Sequence, residues 1–186
     1  RQLREWHLQG HQSWSMAVNL STLQFEQPSL VKTVLDCLAL HQVPPEMLIL
    51  EVTETTAMSN PDESVRVLTE LTNAGVKASI DDFGTGYSSL LYLKRLPACE
   101  LKIDRAFVQE LSGESEDATI VSAIVALAKT LNLKVVAEGV ETEAQQAFLT
   151  ELGCNTLQGY LLGKPVSAQT IEALCARGEM LPGAEQ

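Results

Sequence analysis

Apolar runs of strand length alternate with amphipathic segments along most of the chain. Each run is rich in Val, Ile and Leu, ends in a polar residue, and is followed by a helix-like segment of roughly 10 to 15 residues. The runs are SMAVNLS, LILEVTET, KASIDDF, ELKIDRAF, KVVAEGV and the weaker NTLQGYL. This repeated strand-helix unit predicts an α/β protein with a parallel sheet and helices outside it.

The segments between the runs have the spacing of amphipathic helices. They are PSLVKTVLDCLALHQ, DESVRVLTELTNAG, SSLLYLKRL, DATIVSAIVALAKTLN and TEAQQAFLTELG, and the chain opens with another, RQLREWHLQG. Gly75 and Gly153 stand where a helix C-cap is expected, because glycine readily adopts the left-handed conformation found there.

A polar residue marks the end of each of the six predicted strands. These residues follow one another at intervals of 20 to 36 positions: Asn19, Glu51, Asp81, Lys102, Glu138 and Gln158. In a (β/α) barrel all strands contribute to the site at their carboxyl ends, whereas an open doubly wound sheet uses only those at its switch point. Because all six predicted strands end in a polar residue, the pattern favours a TIM-like (β/α) barrel.

The number of strands is small for such a barrel. An eight-stranded barrel takes about 250 residues, and this chain has 186 and opens in a helix. We therefore expect a domain over 1–186 that is incomplete at its N-terminus, with about six parallel strand-helix units and a flexible tail at 177–186.

Composition restricts the partners. A formal net charge of −11 argues against a nucleic-acid polymer, because phosphate binding needs clustered Lys and Arg. The longest apolar runs are far shorter than the roughly 20 residues of a membrane span, and no leader is recognised. We expect a cytoplasmic chain, or the cytosolic part of a membrane-anchored parent.

The four cysteines are scattered, which predicts buried thiols and no zinc site or disulfide scaffold.

The strand-end residues suggest a site for hard divalent cations. All the potential ligands among them are oxygen donors, which suit Mg²⁺ or Mn²⁺. Several carboxylates in one pocket match two cations about 3.5 to 4 Å apart. His7, His11 and His41 lie away from the strand ends and are interpreted as surface or packing residues.

The adjacent acids Asp81 and Asp82 can serve one site only where the strand ends and the backbone turns. Asp81 would bridge two cations and Asp82 would bind the second. Lys102 could orient an attacking water or stabilise charge on phosphate, and Glu138 could take the water's proton. For each acid alone, helix capping or a surface position is the rival interpretation.

Glu54 and Glu141 each follow a strand-end glutamate by three residues. They either hold neighbouring loops or cap the next helix. The segment FGTGYSS lacks the third glycine of a dinucleotide fingerprint, so we interpret it as a loop beside the metals. Ser88 or Ser89 would cap the helix that follows, and Tyr87 or Phe83 would stack on a base or pack in the core.

The motifs AVNLS, LILEVTET, IDDFGTGYSSL, LKIDRAFV, VVAEGVET and GCNTLQGYLLGKP closely resemble those of the EAL family of cyclic-di-GMP phosphodiesterases. The resemblance covers about residues 15 to 175. It implies a bacterial signalling domain with a TIM barrel that hydrolyses cyclic-di-GMP to linear pGpG with Mg²⁺ or Mn²⁺, two per site. A homodimer and a regulatory domain in the parent protein are also implied.

The same resemblance assigns roles to individual residues. The metal ligands fall on Asn19, Glu51, Asp81 and Asp82, and the water-orienting lysine falls on Lys102. Glu138 matches the family's base or water-mediated ligand, and Gln158 its active-site glutamine. Glu54 matches the glutamate that steadies the loop after Asp82, and we place Glu141 and Asp104 with the groups that contact substrate or support the site.

The Glu-Ala-Leu motif that names the family is absent, because the chain starts after the position expected for it. Its glutamate is a metal ligand, so one alternative is a module that binds cyclic-di-GMP without cleaving it. Another, reached without the family, is a Mg²⁺ barrel enzyme that abstracts a proton next to a carboxylate. Release of phosphate-linked products separates these hypotheses.

Overall fold

A computed structural model describes residues 1–86, 90–111 and 115–178. The expected roles of Tyr87, Ser88 and Ser89 lie outside the described residues, as does most of the expected tail at 177–186. The chain divides into two compact units, residues 1–101 and 102–186. None of the described helices is long and apolar enough to cross a membrane.

The first unit contains three complete strands and the start of a fourth. Its elements are α1 (Gln2–Leu8), β1 (Met16–Leu20), α2 (Thr22–Phe25), α3 (Leu30–His41), β2 (Leu48–Thr53), α4 (Glu54–Ser59), α5 (Pro61–Asn73), β3 (Lys77–Phe83), α6 (Leu90–Leu93) and the first residues of β4 (Glu100–Ile103). β1 pairs with β2 and β2 with β3, both in parallel. The helices lie between the strands in sequence, as the alternating pattern predicts.

Packing in this unit follows the amphipathic pattern. Helix α5 buries Ser64, Val67, Leu68 and Leu71, the i, i+3, i+4, i+7 spacing of one helical face. Val52 of β2 and Ile80 of β3 are fully buried. The core therefore fixes the register of β2 and β3, because a slip of one residue would turn their apolar side chains to the other face.

The second unit continues the strand-helix alternation. After the end of β4 come α7 (Arg105–Gln109), α8 (Glu116–Thr130), β5 (Lys134–Ala137), α9 (Glu143–Leu152), β6 (Thr156–Leu157) and α10 (Ala168–Arg177). β5 and β6 pair in parallel, and the strand order in this unit is β4-β5-β6. Gly153 ends α9 with a φ of +85°, which agrees with its predicted role as a C-cap.

Several strands end earlier than the apolar runs predict. β2 stops at Thr53 and β4 at Ile103, and the short helices α4 and α7 begin at once. The reason is capping: the Thr53 hydroxyl accepts from the N–H of Thr56, and the Asp104 carboxylate accepts from the N–H of Ala106 at 2.7 Å. Each cap satisfies an N–H that the helix itself cannot, and so favours a helix start over strand continuation.

The expectation of buried cysteines is wrong. Cys37 and Cys175 are exposed, and Cys99 and Cys154 are partly exposed; all four are free thiols. Cys37 and Cys175 lie on helices α3 and α10, where a helical residue outside the apolar stripe faces water.

Candidate active site

Two of the predicted metal ligands lie side by side at the ends of β1 and β2. Asn19 and Glu51 are direct partners in the parallel register. When the Asn19 side chain is oriented with its nitrogen toward the neighbouring carboxylates, the amide donates to Glu51 Oε2 at 3.3 Å and to Asp81 Oδ2 at 3.2 Å. Asn19, Glu51 and Asp81 therefore form one cluster at the strand ends of the first unit.

The adjacent acids sit where β3 turns. Asp82 has a φ of +53°, a left-handed conformation that is uncommon outside glycine but best tolerated by Asn and Asp. Its N–H donates to Asp81 Oδ1 at 3.0 Å. The turn interrupts the strict alternation of a strand, as the paired acids in the sequence predict. Both oxygens of Asp81 are engaged, one by Asn19 and one by this N–H.

Glu54 holds the loop that follows these acids. Its Oε2 accepts from the N–H of Gly84 at 2.8 Å, and its side chain is buried. Thr53, not Glu54, is the N-cap of α4, so the capping alternative does not apply. Gly86 lies close to the same side chain, since a Cβ there would lie 2.9 Å from Glu54 Oε1.

The donor set fits a hard divalent cation. Glu51 is 8% exposed and Asp81 is 7% exposed, and both reach the same amide within 3.3 Å. Two buried carboxylates this close concentrate negative charge, which positive charge nearby would balance. A cation bound by Glu51, Asp81 and Asp82 would supply that charge. Asn19 would join them once its amide turns so that the oxygen faces the two carboxylates, which completes a set of the oxygen ligands that Mg²⁺ and Mn²⁺ prefer.

The second unit carries a partly buried ion pair between the two residues predicted to be catalytic. Lys102 Nζ lies 2.7 Å from Glu138 Oε1. Lys102 is only 5% exposed, whereas the Glu138 side chain is 19% exposed. Since Lys102 is a compact point charge with three donors, it fixes the position of the carboxylate while leaving Glu138 accessible to water.

The backbone around Glu138 is closely held. Its N–H donates to the carbonyl of Ile103 at 3.2 Å, and two more bonds join Gln158 N–H to Ala137 and Val140 N–H to Gln158. Gly159 permits this approach, because a Cβ there would lie 2.1 Å from the carbonyl oxygen of Val140. The Gln158 side chain is exposed.

The remaining predicted residues have different local roles. Asp104 is the N-cap of α7. Glu141 precedes the N-cap of α9, which is Thr142, so its exposed carboxylate is not a cap. Asp104 therefore caps a helix, a role that we did not predict for it, and the capping interpretation of Glu141 does not hold.

Sequence reasoning missed Gln145, a buried residue that supports the loop after Glu138. Its Oε1 accepts from the N–H groups of Glu141 and Thr142. Its Nε2 donates to the carbonyls of Val108 and Gln109. The signal was present in the sequence, since Thr142 and Gln145 form the T-x-x-Q pattern of a capping box.

Comparison with known proteins identifies the family. The EAL domain model matches residues 1–165. The chain is 62% identical over 176 residues to MucR of Pseudomonas aeruginosa, named a bifunctional diguanylate cyclase/cyclic di-GMP phosphodiesterase. That alignment covers 95% of this chain and 26% of MucR, so the chain spans about a quarter of that relative's length.

Solved structures support the same family assignment. The MucR phosphodiesterase in complex with c-di-GMP matches 91% of this chain and 69% of its own, with 63% identity and a TM-score of 0.89. Klebsiella pneumoniae BlrP1, in a complex with manganese and cyclic-di-GMP, matches 88% of this chain and 42% of its own, with 32% identity and a TM-score of 0.77. The predicted TIM-like α/β fold class is thereby confirmed, and the chain belongs to the EAL domain family.

Proposed function

We propose that this domain hydrolyses cyclic-di-GMP to linear pGpG, using two divalent cations, Mg²⁺ or Mn²⁺. The observation that carries the proposal is the cluster of Asn19, Glu51 and Asp81 at the strand ends. The names of the relatives support the reaction: MucR and NbdA of Pseudomonas aeruginosa are both called cyclic di-GMP phosphodiesterases. The BlrP1 complex with manganese supports a divalent cation.

In this proposal Asn19, Glu51, Asp81 and Asp82 hold the cations. Bound cations of this kind lower the pKa of water and stabilise the oxygens of a phosphodiester. Glu54 keeps the loop after Asp82 in place through its bond to the Gly84 N–H. Protein contacts therefore help to hold the left-handed backbone of Asp82, in addition to any bound cation.

Glu138 is the proposed general base. Its carboxylate is partly exposed and pairs with Lys102 at 2.7 Å, so it is fixed in position and can still accept a proton from water. Lys102 would orient that water and stabilise negative charge on the phosphate. Proton transfer by a positioned side chain contributes roughly 10²- to 10⁴-fold to a rate.

The assembly and setting belong to the same proposal. We place the domain in a cytoplasmic signalling protein with a regulatory domain elsewhere in the chain, and we expect it to act as a homodimer. MucR is named a bifunctional enzyme, and the alignment covers 26% of its length, which supports a further domain in the parent of this chain. Analytical ultracentrifugation measures the assembly, and a single monomeric species at micromolar concentration would contradict the homodimer.

The reaction is tested by mixing the purified 186-residue chain with cyclic-di-GMP and Mn²⁺ and separating the products by chromatography. Linear pGpG that forms with Mn²⁺ and disappears with a chelator is the expected result. Binding of cyclic-di-GMP with no product would instead support a non-catalytic binding module.

A further inference from the structure

A buried hydroxyl in the first unit has no hydrogen-bond partner. Ser79 lies in β3, and 0% of its surface is exposed. In the part of the chain that the structure describes, its Oγ makes no hydrogen bond. Buried hydroxyls are nearly always bonded, because leaving one unpaired inside a protein costs free energy. Since an alanine would fill nearly the same space without this cost, the hydroxyl calls for an explanation.

The strand register places this hydroxyl beside the predicted metal ligands. Ser79 precedes Asp81 by two residues, so both side chains project from the same face of β3. Asn19 is the direct partner of Glu51 in the pairing of β1 with β2, and Glu51 is the direct partner of Ser79 in the pairing of β2 with β3. Asn19, Glu51 and Ser79 therefore form one row across three strands, with Asp81 next along β3 toward the strand ends.

The row brings the Ser79 hydroxyl within reach of the Glu51 carboxylate. Neighbouring strands lie about 4.8 Å apart, a spacing that a serine hydroxyl and a rotatable glutamate side chain can span. The hydroxyl has one hydrogen to donate and can rotate to direct it. Glu51 is only 8% exposed, so its carboxylate oxygens have little access to water. Ser79 is therefore placed to act as a donor to this carboxylate.

The orientation of Asn19 explains why the hydroxyl is unpaired. With its nitrogen toward the carboxylates, the Asn19 amide donates to Glu51 Oε2 and Asp81 Oδ2. An amide nitrogen cannot bind a cation, whereas an amide oxygen can. When Asn19 turns its oxygen toward a cation, Glu51 loses the amide donor in the same state in which it serves as a ligand.

We propose that Ser79 is a positioning residue for the metal ligand Glu51, an inference that rests on the function proposed above. In the cation-free protein, Asn19 donates to the Glu51 carboxylate and the Ser79 hydroxyl is unpaired. With a cation bound, the Asn19 amide is turned and the Ser79 hydroxyl donates to Glu51 in its place. Groups that orient a ligand in this way typically contribute 10- to 100-fold to metal affinity.

Two structural roles for Ser79 make different predictions. A serine that only fills space could be replaced by alanine without any change in metal affinity. A serine that bonds to a buried water in the cation-free protein would, when replaced, lower stability even in the absence of a cation. The exchange of donors predicts a loss of metal affinity with no loss of cation-free stability.

The test measures Mn²⁺ affinity by calorimetry and the denaturant midpoint in EDTA, both without nucleotide. Ser79→Ala is expected to weaken Mn²⁺ binding by about tenfold, because Glu51 lacks this donor in the cation-bound state. Its midpoint in EDTA should equal or exceed that of the wild type, because the hydroxyl that is removed is unpaired there. Ser64→Ala, at a similarly buried serine on α5, is the matched control and should leave Mn²⁺ affinity unchanged.

The Asn19→Ala background gives a second measure that does not involve the cation. Without the amide, the Ser79 hydroxyl is expected to bond to Glu51 already in the cation-free protein. Ser79→Ala should therefore lower the EDTA midpoint in this background, although it does not do so in the wild-type background. Equal effects of Ser79→Ala in the two backgrounds would contradict the exchange of donors.

Mn²⁺ affinity of Ser79→Ala within about twofold of the wild type, or an EDTA midpoint below that of the wild type, would overturn the inference. Product formation is scored separately. Cleavage of cyclic-di-GMP by the wild type, with unchanged Mn²⁺ affinity in Ser79→Ala, would overturn this inference and leave the proposed reaction standing. Weaker Mn²⁺ binding by Ser79→Ala, with no cleavage by the wild type, would do the reverse.

Discussion

At the scale of single residues, the Lys102–Glu138 ion pair gives the account its sharpest test. We predict that Glu138→Gln lowers kcat by at least about 100-fold, because the amide cannot accept a proton from water at neutral pH. The fold and the affinity for Mn²⁺ should be retained, since a glutamine can still accept a hydrogen bond from Lys102. Product formation and a thermal melt with Mn²⁺ measure the two effects.

The matched control is Glu151→Gln, an exposed change on α9 that should leave both measurements unchanged. Turnover by Glu138→Gln at the wild-type rate would contradict the role given to this carboxylate.

The cysteines provide a prediction about reactivity. Burial raises the pKa of the Cys154 thiol to about 11 from an ordinary value of 9.0. Since the thiolate is the nucleophile, its fraction at pH 8 falls by about 100-fold for a shift of about two units. Iodoacetamide at pH 8, followed by mass spectrometry, should label exposed Cys37 and Cys175 long before Cys154. Labelling of Cys154 as fast as Cys175 would show that the thiol is not shielded.

At the scale of elements, two capping boxes of the same type differ in burial and in the bonds that their glutamines make beyond the helix start. Ser21 and Gln24 cap α2 on the surface, and Thr142 and Gln145 cap α9 with Gln145 only 5% exposed. Removal of Gln145 takes a partner from the N–H groups of Glu141 and Thr142 and from the carbonyl of Gln109, whereas the carbonyl of Val108 still accepts from Leu111. An unsatisfied buried group costs about 1 to 3 kcal/mol.

We therefore predict that Gln145→Ala lowers the free energy of unfolding by about 2 to 4 kcal/mol, against about 0.5 to 1 kcal/mol for Gln24→Ala. Denaturant titration measures both, and hydrogen exchange should quicken at the amides of Glu141 and Thr142 in the first variant alone. Equal losses in the two variants would mean that Gln145 is only a helix cap.

Element boundaries show where the sequence pattern stops being informative. The runs LILEVTET and ELKIDRAF look like continuous strands, yet β2 and β4 end at Thr53 and Ile103. The periodicity of apolar residues cannot distinguish the last few residues of a strand from a short helix. The helix caps at Thr53 and Asp104 determine where the two strands end. In the sequence, a polar residue at either position is equally consistent with the end of a strand.

At the scale of the whole molecule, the alternation of apolar and polar residues was enough to predict all six strands and the fold class. It also predicted that Asn19, Glu51 and Asp81 meet, because parallel strands align their carboxyl ends. It could not reveal the four side-chain bonds of Gln145. Those depend on side-chain directions within tight loops, for which no periodic signal exists.

The measurement that tests the central claim most directly is formation of linear pGpG by the wild-type chain and by Asp81→Asn, over a titration of Mn²⁺. Asp36→Asn, on the exposed side of α3, is the matched control. We predict that the wild type and the control form product with the same Mn²⁺ dependence. Asp81→Asn should form none at the Mn²⁺ concentration that saturates the wild type, because the shared carboxylate of the cluster is lost. Absence of product from the wild-type chain at every Mn²⁺ concentration, or equal activity in Asp81→Asn, would contradict the account.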